Sequence, residues 1–187
     1  MTINLMFALA AQQGLKLRGL DIYGAFITAD IDEPVYMQLP KGLQPDIDGE
    51  PPIWKLRKTL YGLRRAPKAF HDQLTAYLVS IGYTRSAYDR CLFYRRLADG
   101  RLIMFSIHVD DFAVAASDDV LIDELCTALK LKYIIKESET LEDFLGVHME
   151  QSQGRLHLSQ PGLIKKLIAA AGLVDNERVV RIPMRTD

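Results

Sequence analysis

Residues 105–116 read FSIHVDDFAVAA, and this stretch decides the fold that we predict. Two adjacent carboxylates, Asp110 and Asp111, interrupt a nearly apolar run. The flanking residues predict two strands, 102–107 and 112–116, joined by a tight turn over 108–111. Such turns usually carry Gly, Asn or Asp where φ is positive. Because this turn has no Gly, we expect a strained backbone at Val109.

Helix and strand patterns follow one another irregularly along the rest of the chain. Apolar periodicity predicts helices near 5–13, 66–81, 118–132 and 161–171, with Ser117 as a cap of the third. Strands are expected at 15–21, 35–40, 91–94, 144–149 and 155–159, with a turn at Gly154 before the last. This mixture predicts an α+β fold, with an antiparallel sheet covered by helices on one face.

Length and composition are those of one globular domain. The 187 residues are 49% hydrophobic, which suffices for a single core. Two cysteines, Cys91 and Cys126, show no metal-ligand spacing, so we expect a reducing, intracellular setting. No basic residue precedes Lys16 and no apolar run has the length of a membrane span, so neither a signal peptide nor a membrane partner is expected.

The net charge of −1 hides a strong asymmetry. Residues 54–101 carry eleven Lys or Arg against three Asp or Glu, whereas both flanking segments are acidic. A basic segment between acidic ones is suited to a protein that holds a polyanion on one surface and metal ions on another.

Carboxylates at strand ends predict a divalent-cation site. Asp110 and Asp111 repel each other unless a cation neutralises them, and Mg²⁺ is usually held by one or two carboxylates plus substrate phosphates. Asp21, at the end of the predicted strand 15–21, is the candidate for a third ligand, and Gly24 and Ala25 leave room beside it. Two ions about 3.5–4 Å apart would support nucleotidyl transfer.

Each signal also has a simpler interpretation when taken alone. The Asp110–Asp111 pair could be a solvated turn, Asp21 a strand-end or helix-cap residue, and the basic stretch 54–68 a solvated face. The four histidines show no ligand spacing, and we assign none of them to a metal. A carboxylate-metal hydrolase would need a nucleophile or a water-activating base that the sequence does not offer.

Four motifs, in this order and spacing, resemble the reverse transcriptase of copia-type LTR retrotransposons: LDIYGAF (20–26), LYGLRRAP (60–67), HVDD (108–111) and FLGVHM (144–149). The stretches EPVYMQLPKGL, IWKLRKTLYGL and GRLHLSQPGLIKKLI are similar to the family pattern as well. The resemblance covers nearly the whole chain.

The resemblance implies a polymerase palm that extends a DNA primer on an RNA or DNA template, using deoxynucleoside triphosphates and two Mg²⁺ ions, with Mn²⁺ as a substitute. It assigns the catalytic and metal-binding roles to Asp21, Asp110 and Asp111. It places Phe26 as the gate against a ribose 2′-hydroxyl.

Further roles are implied residue by residue. Tyr23, Gly24, Tyr61 and Gly62 would contact the nucleotide. The nucleic-acid contacts would come from Arg64, Arg65, Lys68 and the primer-grip residues Phe144, Leu145 and Gly146. Lys136 aligns loosely with a lysine that protonates pyrophosphate.

The implied division is palm at 1–28 and 66–150, the remaining fingers part at 29–65, and the end of the palm with the start of the thumb at 151–187. The N-terminal fingers segment would precede Met1, and integrase and RNase H regions would accompany the domain in a Pol polyprotein. His108 stands where the family usually has Tyr or Phe. The alternative is an inactive relic that folds and binds nucleic acid without catalysis.

Overall fold

The computed structural model describes residues 2–40, 42, 53–152 and 155–173. The helices are α1 Thr2–Gln13, the single-turn 3-10 helix Ala25–Ile27, α2 Ala66–Ser80, α3 Asp119–Lys130 and α4 Pro161–Ala170. The strands are β1 Lys16–Ile22, β2 Tyr36–Gln38, β3 Ile53–Lys55, β4 Thr84–Arg85, β5 Leu92–Arg96, β6 Leu102–His108, β7 Asp111–Ala116, β8 Ile135–Ser138, β9 Asp143–Phe144, β10 Val147–Ser152 and β11 Arg155–Ser159. No helix in the described part of the chain has the length and apolarity needed to cross a bilayer.

The main sheet has six strands in the order β4-β5-β6-β7-β1-β8, and every neighbouring pair is antiparallel. Strands β9, β10 and β11 form a separate three-stranded antiparallel sheet, and β2 pairs with β3 in a two-stranded ribbon. The predicted α+β class with an antiparallel sheet is confirmed. The central position of β6 and β7 follows from their apolar composition, since strands covered on both faces need apolar side chains on both.

The prediction that helices cover one face alone is wrong. Phe105, Phe112 and Val114 pack with α2 and α3 in one buried cluster. Met104 and Ala113, which point to the opposite face, pack with α1 and the three-stranded sheet in a second cluster. Because neighbouring residues of β6 and β7 are apolar on both faces, the sheet requires cover on both sides.

Local differences from the predicted elements have identifiable causes. The cap of α3 is Asp118 rather than Ser117: the Asp118 carboxylate accepts a hydrogen bond from the Leu121 N–H at 3.0 Å. The Ser117 hydroxyl instead accepts from the N–H of Leu102 at 2.9 Å. The predicted strand 144–149 is broken by a turn between β9 and β10, and the predicted turn at Gly154 lies outside the described residues.

Candidate active site

The turn between β6 and β7 contains two residues, Val109 and Asp110, because His108 pairs directly with Asp111. Val109 has φ of 62°. A positive φ at the first central position but not at the second fits a type II′ turn, where Gly is normally required. The positive φ expected at Val109 is therefore observed, and the turn places the two carboxylates at the end of the hairpin.

Asp21 and Asp111 lie directly opposite each other in the antiparallel pairing of β1 with β7. Opposite residues of an antiparallel pair project to the same face, with Cβ atoms about 4.5–5.5 Å apart. The backbone carbonyl of Asp110 accepts a hydrogen bond from the N–H of Ile22 at 3.0 Å, which ties the turn to the end of β1. The structure thus brings the three predicted carboxylate residues to one end of the sheet.

The electrostatics of this cluster reflect burial first and mutual repulsion second. Burial raises the pKa of the Asp21 carboxyl, and the charge of Asp110 raises it further while Lys136 opposes the shift. Burial likewise raises the pKa of Asp111, with added repulsion from Asp110 and Asp21 and opposition from His108. Like charges that raise one another's pKa are stabilised together when a cation binds between them.

Four strands place one residue each in a single row across this end of the sheet. Lys136 of β8 pairs with Asp21, Asp21 with Asp111, and Asp111 with His108 of β6. The row therefore reads cation, carboxylate, carboxylate, imidazole. Lys136, which aligns only loosely with the lysine that protonates pyrophosphate, lies directly opposite Asp21 in the pairing of β1 with β8.

A cleft of about 380 Å³ opens beside these carboxylates. Asp21 and Asp111 line it together with Lys136, Asp143 and Phe144. Asp143 was not singled out in the sequence, where its only signal is its position directly before the FLGVHM motif. The cleft joins the carboxylate row to the predicted primer-grip segment.

The oxygen-rich donor set fits Mg²⁺. Within the described residues, no group of three or more His, Cys, Asp or Glu side chains is arranged so that it could hold a metal ion. Mg²⁺ usually keeps several waters and is held by one or two carboxylates plus substrate phosphates. Asp21, Asp110 and Asp111 are the residues that would hold such ions.

The loop after β1 carries the residues expected at the nucleotide. The Phe26 ring packs edge-on against Tyr61, with centroids 4.9 Å apart, and against Phe70 at 6.3 Å. Gly24 has φ of 65°, and a Cβ there would meet the Ile27 side chain at 3.1 Å. The Tyr23 N–H donates to the Ile134 carbonyl at 2.8 Å, so this amide already has a partner within the chain.

The basic residues predicted for nucleic-acid contact differ in their surroundings. Arg65 forms ion pairs with Glu33 at 2.7 Å and Asp32 at 3.7 Å, and Lys68 pairs with Asp72 at 3.1 Å. Arg64 is exposed beside them. Gly62, in the same loop, has φ of 94° and lies next to the exposed Tyr61 ring.

The predicted primer-grip residues form the turn between β9 and β10. Phe144 is buried and pairs with Val147 across a two-residue turn. Leu145 and Gly146 have φ of 52° and 77°, and positive φ at both central positions fits a type I′ turn. Val109 and Leu145 are the two non-glycine residues with positive φ in the described part of the chain.

Comparison with known proteins gives a consistent result. The family described as "Reverse transcriptase (RNA-dependent DNA polymerase)" matches residues 1–186. The retrovirus-related Pol polyproteins from transposons RE2 and RE1 of Arabidopsis thaliana are each 33% identical over 186 residues. These matches cover 99% and 98% of this chain and 12% of each polyprotein.

The Pol polyprotein from transposon TNT 1-94 of Nicotiana tabacum is 27% identical over 98% of this chain and 14% of its own length. The chain therefore spans about an eighth of the length of these curated relatives. The family match extends over nearly every residue, including the two strands and the turn that carry the carboxylates. The chain belongs to the reverse transcriptase (RNA-dependent DNA polymerase) family found in transposon Pol polyproteins.

Proposed function

We propose that this chain is the palm-centred part of a retrotransposon reverse transcriptase and that it extends a DNA primer on an RNA or DNA template. The observation that carries the proposal is the pairing of Asp21 with Asp111 beside the turn residue Asp110. Family membership supports DNA synthesis on a template as the reaction. Asp21, Asp110 and Asp111 are carboxylates of the kind that hold the two metal ions of nucleotidyl transfer.

Two divalent ions, Mg²⁺ or Mn²⁺, would lower the barrier by activating the primer 3′-hydroxyl and by stabilising the leaving pyrophosphate. The chain's own part is to hold Asp21, Asp110 and Asp111 at one sheet end, with the backbone of the turn fixed by the Ile22 N–H. Like-charge repulsion among the three carboxyls gives them a stronger preference for a bound cation than a solvated pair has.

Phe26 is proposed as the gate that rejects ribonucleotides. Its ring is fixed on two sides by the edge-on contacts with Tyr61 and Phe70, so it has little freedom to yield to a 2′-hydroxyl. Gly24 and Gly62 are proposed to let the backbone approach the triphosphate, and the exposed rings of Tyr23 and Tyr61 are proposed to contact the nucleotide.

The β9–β10 turn is proposed to hold the primer strand. Phe144 is buried in the second cluster, and Leu145 and Gly146 form the tip of the turn. Phe144 also lines the same cleft as Asp21 and Asp111. Arg64, Arg65 and Lys68 would contribute phosphate contacts, the latter two only after giving up their ion pairs with Glu33 and Asp72. We further propose the division into palm (1–28 and 66–150), fingers remainder (29–65) and thumb start (151–187).

The relatives are Pol polyproteins, so integrase and RNase H regions of a longer polyprotein are proposed as the partners of this domain.

A second candidate function is that of a nucleic-acid-binding domain without catalysis. It is favoured by the observation that, in the described part of the chain, no group of three or more His, Cys, Asp or Glu side chains is arranged so that it could hold a metal ion.

Primer extension separates the two candidates. The wild-type chain is incubated with a labelled DNA primer on RNA and DNA templates, deoxynucleotides and Mg²⁺ or Mn²⁺. We expect incorporation that Asp110→Asn abolishes, while Asp123→Asn, on the opposite side of the sheet and paired with Arg18 at 2.7 Å, leaves it unchanged. Binding that is sensitive to salt but gives no incorporation would favour the second candidate, and extension by Asp110→Asn would exclude the metal role.

A further inference from the structure

Six basic residues occur between residues 54 and 68 without an intervening acidic residue, and the structure divides them into two groups. Three have carboxylate partners: Lys58 with Asp30 at 2.6 Å, Arg65 with Glu33 and Asp32, and Lys68 with Asp72. The other three, Lys55, Arg57 and Arg64, are exposed and make no ion pair with any residue of the described segments.

Whether a cation is already ion-paired affects how readily it binds a backbone phosphate. A paired cation must first give up its carboxylate, and the carboxylate left behind then repels the polyanion. An unpaired exposed cation exchanges only water and small counterions, which is the favourable step in nucleic-acid binding. Lys55 and Arg57 are therefore better suited to phosphate contact than Arg65 and Lys68, although the sequence motif drew attention to the latter pair.

The ribbon formed by β2 and β3 adds an aromatic surface. Tyr36 lies directly opposite Lys55, so the ring and the ammonium share one face of the ribbon. Tyr36 is 61% exposed, and the ribbon is not hydrogen-bonded into the main sheet. A two-stranded ribbon is marginally stable in water without a partner, and this one presents an exposed ring next to a cation that has no ion-pair partner in the described part of the chain.

A concavity of about 650 Å³ continues this surface. Lys55 and Arg57 line it, as do Asp32 and Glu33, whose carboxylates are paired with Arg65. The two acidic side chains that line this concavity are thus engaged by another cation, and Lys55 and Arg57 have no carboxylate partner among the described residues.

We propose that Tyr36, Lys55 and Arg57 form a binding surface for single-stranded nucleic acid, in which the two cations contact backbone phosphates and the Tyr36 ring stacks on a base. Alternating cationic and aromatic side chains are the usual chemistry of sequence-tolerant single-strand binding. This inference rests on the proposed function, to which it adds the residues that hold an unpaired template.

The test measures binding of the 187-residue chain to a fluorescent single-stranded oligonucleotide at several salt concentrations. In Lys55→Gln/Arg57→Gln, the negative slope of log K against log salt should become shallower by about 0.7 for each cation removed. The matched control Arg65→Gln/Lys68→Gln should change the slope less. Lys55→Arg/Arg57→Lys, which keeps both charges, should bind as the wild type does.

Stacking is tested separately from charge. Tyr36→Leu should weaken binding about tenfold with an unchanged salt slope, whereas Tyr36→Phe keeps the ring and should bind normally. A blunt duplex of the same length should bind without sensitivity to Tyr36→Leu, because its bases are already stacked. A larger slope change in Arg65→Gln/Lys68→Gln than in Lys55→Gln/Arg57→Gln would overturn the inference, as would equal binding by Tyr36→Leu and the wild type.

Failure of this inference and failure of the proposed function give different results, because binding is measured without incorporation. Normal primer extension with binding that is insensitive to Lys55 and Arg57 would overturn the inference alone. Binding that depends on these two residues in a chain that incorporates no nucleotide would support the inference and overturn the polymerase proposal. Absence of any binding by the wild type would overturn both.

Discussion

Asp21 of β1 and Asp111 of β7 are direct partners in an antiparallel pair, although 90 residues separate them along the chain. Two like charges in opposite positions of adjacent strands destabilise a sheet. Here burial and the nearby Asp110 raise the pKa of both carboxyls, so the cost of keeping them ionised is larger than on an open surface. Such a pair is expected where a cation binds.

Removing one of the two charges should stabilise the metal-free protein. We expect Asp111→Asn to raise the free energy of unfolding by about 0.5 kcal/mol in EDTA, because the amide no longer repels Asp21. Mg²⁺ should stabilise the wild type by binding its folded state and should do so much less in the variant. Urea unfolding with and without Mg²⁺ measures both effects.

The control for that experiment is Asp123→Asn, which removes a carboxylate that is already compensated by Arg18. This variant should not gain stability in EDTA, and it should keep the response to Mg²⁺. A wild type that is more stable than Asp111→Asn without metal would show that the carboxylates do not repel each other.

The turn at Val109 should store strain. Val109→Gly is expected to raise the free energy of unfolding by about 1 kcal/mol, because Gly adopts φ of 62° without steric cost. Val120→Gly, at an exposed position in the first turn of α3, should instead lower it by roughly 0.4 kcal/mol. Chemical unfolding of both variants gives the comparison, and equal destabilisation by the two would refute the strain at Val109.

Phe26 should govern the choice between deoxyribonucleotides and ribonucleotides. We expect Phe26→Ala to lower the ratio of kcat/KM for a deoxynucleotide over its ribonucleotide by about tenfold or more, because the ring no longer excludes the 2′-hydroxyl. Single-nucleotide incorporation measures the ratio. Phe70→Leu, which removes only a packing neighbour of Phe26, should reduce stability while keeping most of the discrimination, and an unchanged ratio in Phe26→Ala would exclude the gate.

The cap of α3 should contribute to acid sensitivity. The Leu121 N–H, together with the Arg101 guanidinium, lowers the pKa of Asp118 below its ordinary value of 3.8. A lowered folded-state pKa stabilises the protein above the unfolded-state value, and this contribution disappears as the pH falls through the folded-state value. We expect Asp118→Asn, which keeps a capping oxygen, to lose less stability than the wild type between pH 5 and about pH 2, as measured by urea unfolding.

The elements that sequence patterns predicted well are those with strong periodicity. The hairpin of β6 and β7 and the helices α2, α3 and α4 lie where apolar spacing placed them. The cover on the second face was missed because the prediction placed the helices on one face, although the continuous apolar runs of β6 and β7 already required apolar neighbours on both sides. The turn at Leu145 was missed because Leu is an uncommon residue at positive φ.

For the site, sequence spacing identified the carboxylates but not the partners of the cations. The ion pairs of Arg65 with Glu33 and of Lys68 with Asp72 depend on the tertiary placement and rotamers of long side chains, which leave no periodic signal. Asp143 likewise joins the cleft only through the position of β9 beside β1 and β8. The structure therefore adds most to the sequence-based prediction by showing which side chains that are distant in the chain contact one another.

Direct counting of bound Mn²⁺ by electron paramagnetic resonance tests the shared metal site. The wild type, Asp21→Asn, Asp110→Asn and Asp111→Asn are titrated with Mn²⁺ in the presence of primer, template and an unreactive deoxynucleotide analogue. Tight binding by the wild type and weakened binding by all three variants is the predicted result. Wild-type Mn²⁺ binding by Asp21→Asn would contradict an ion shared between β1 and the turn of the β6–β7 hairpin.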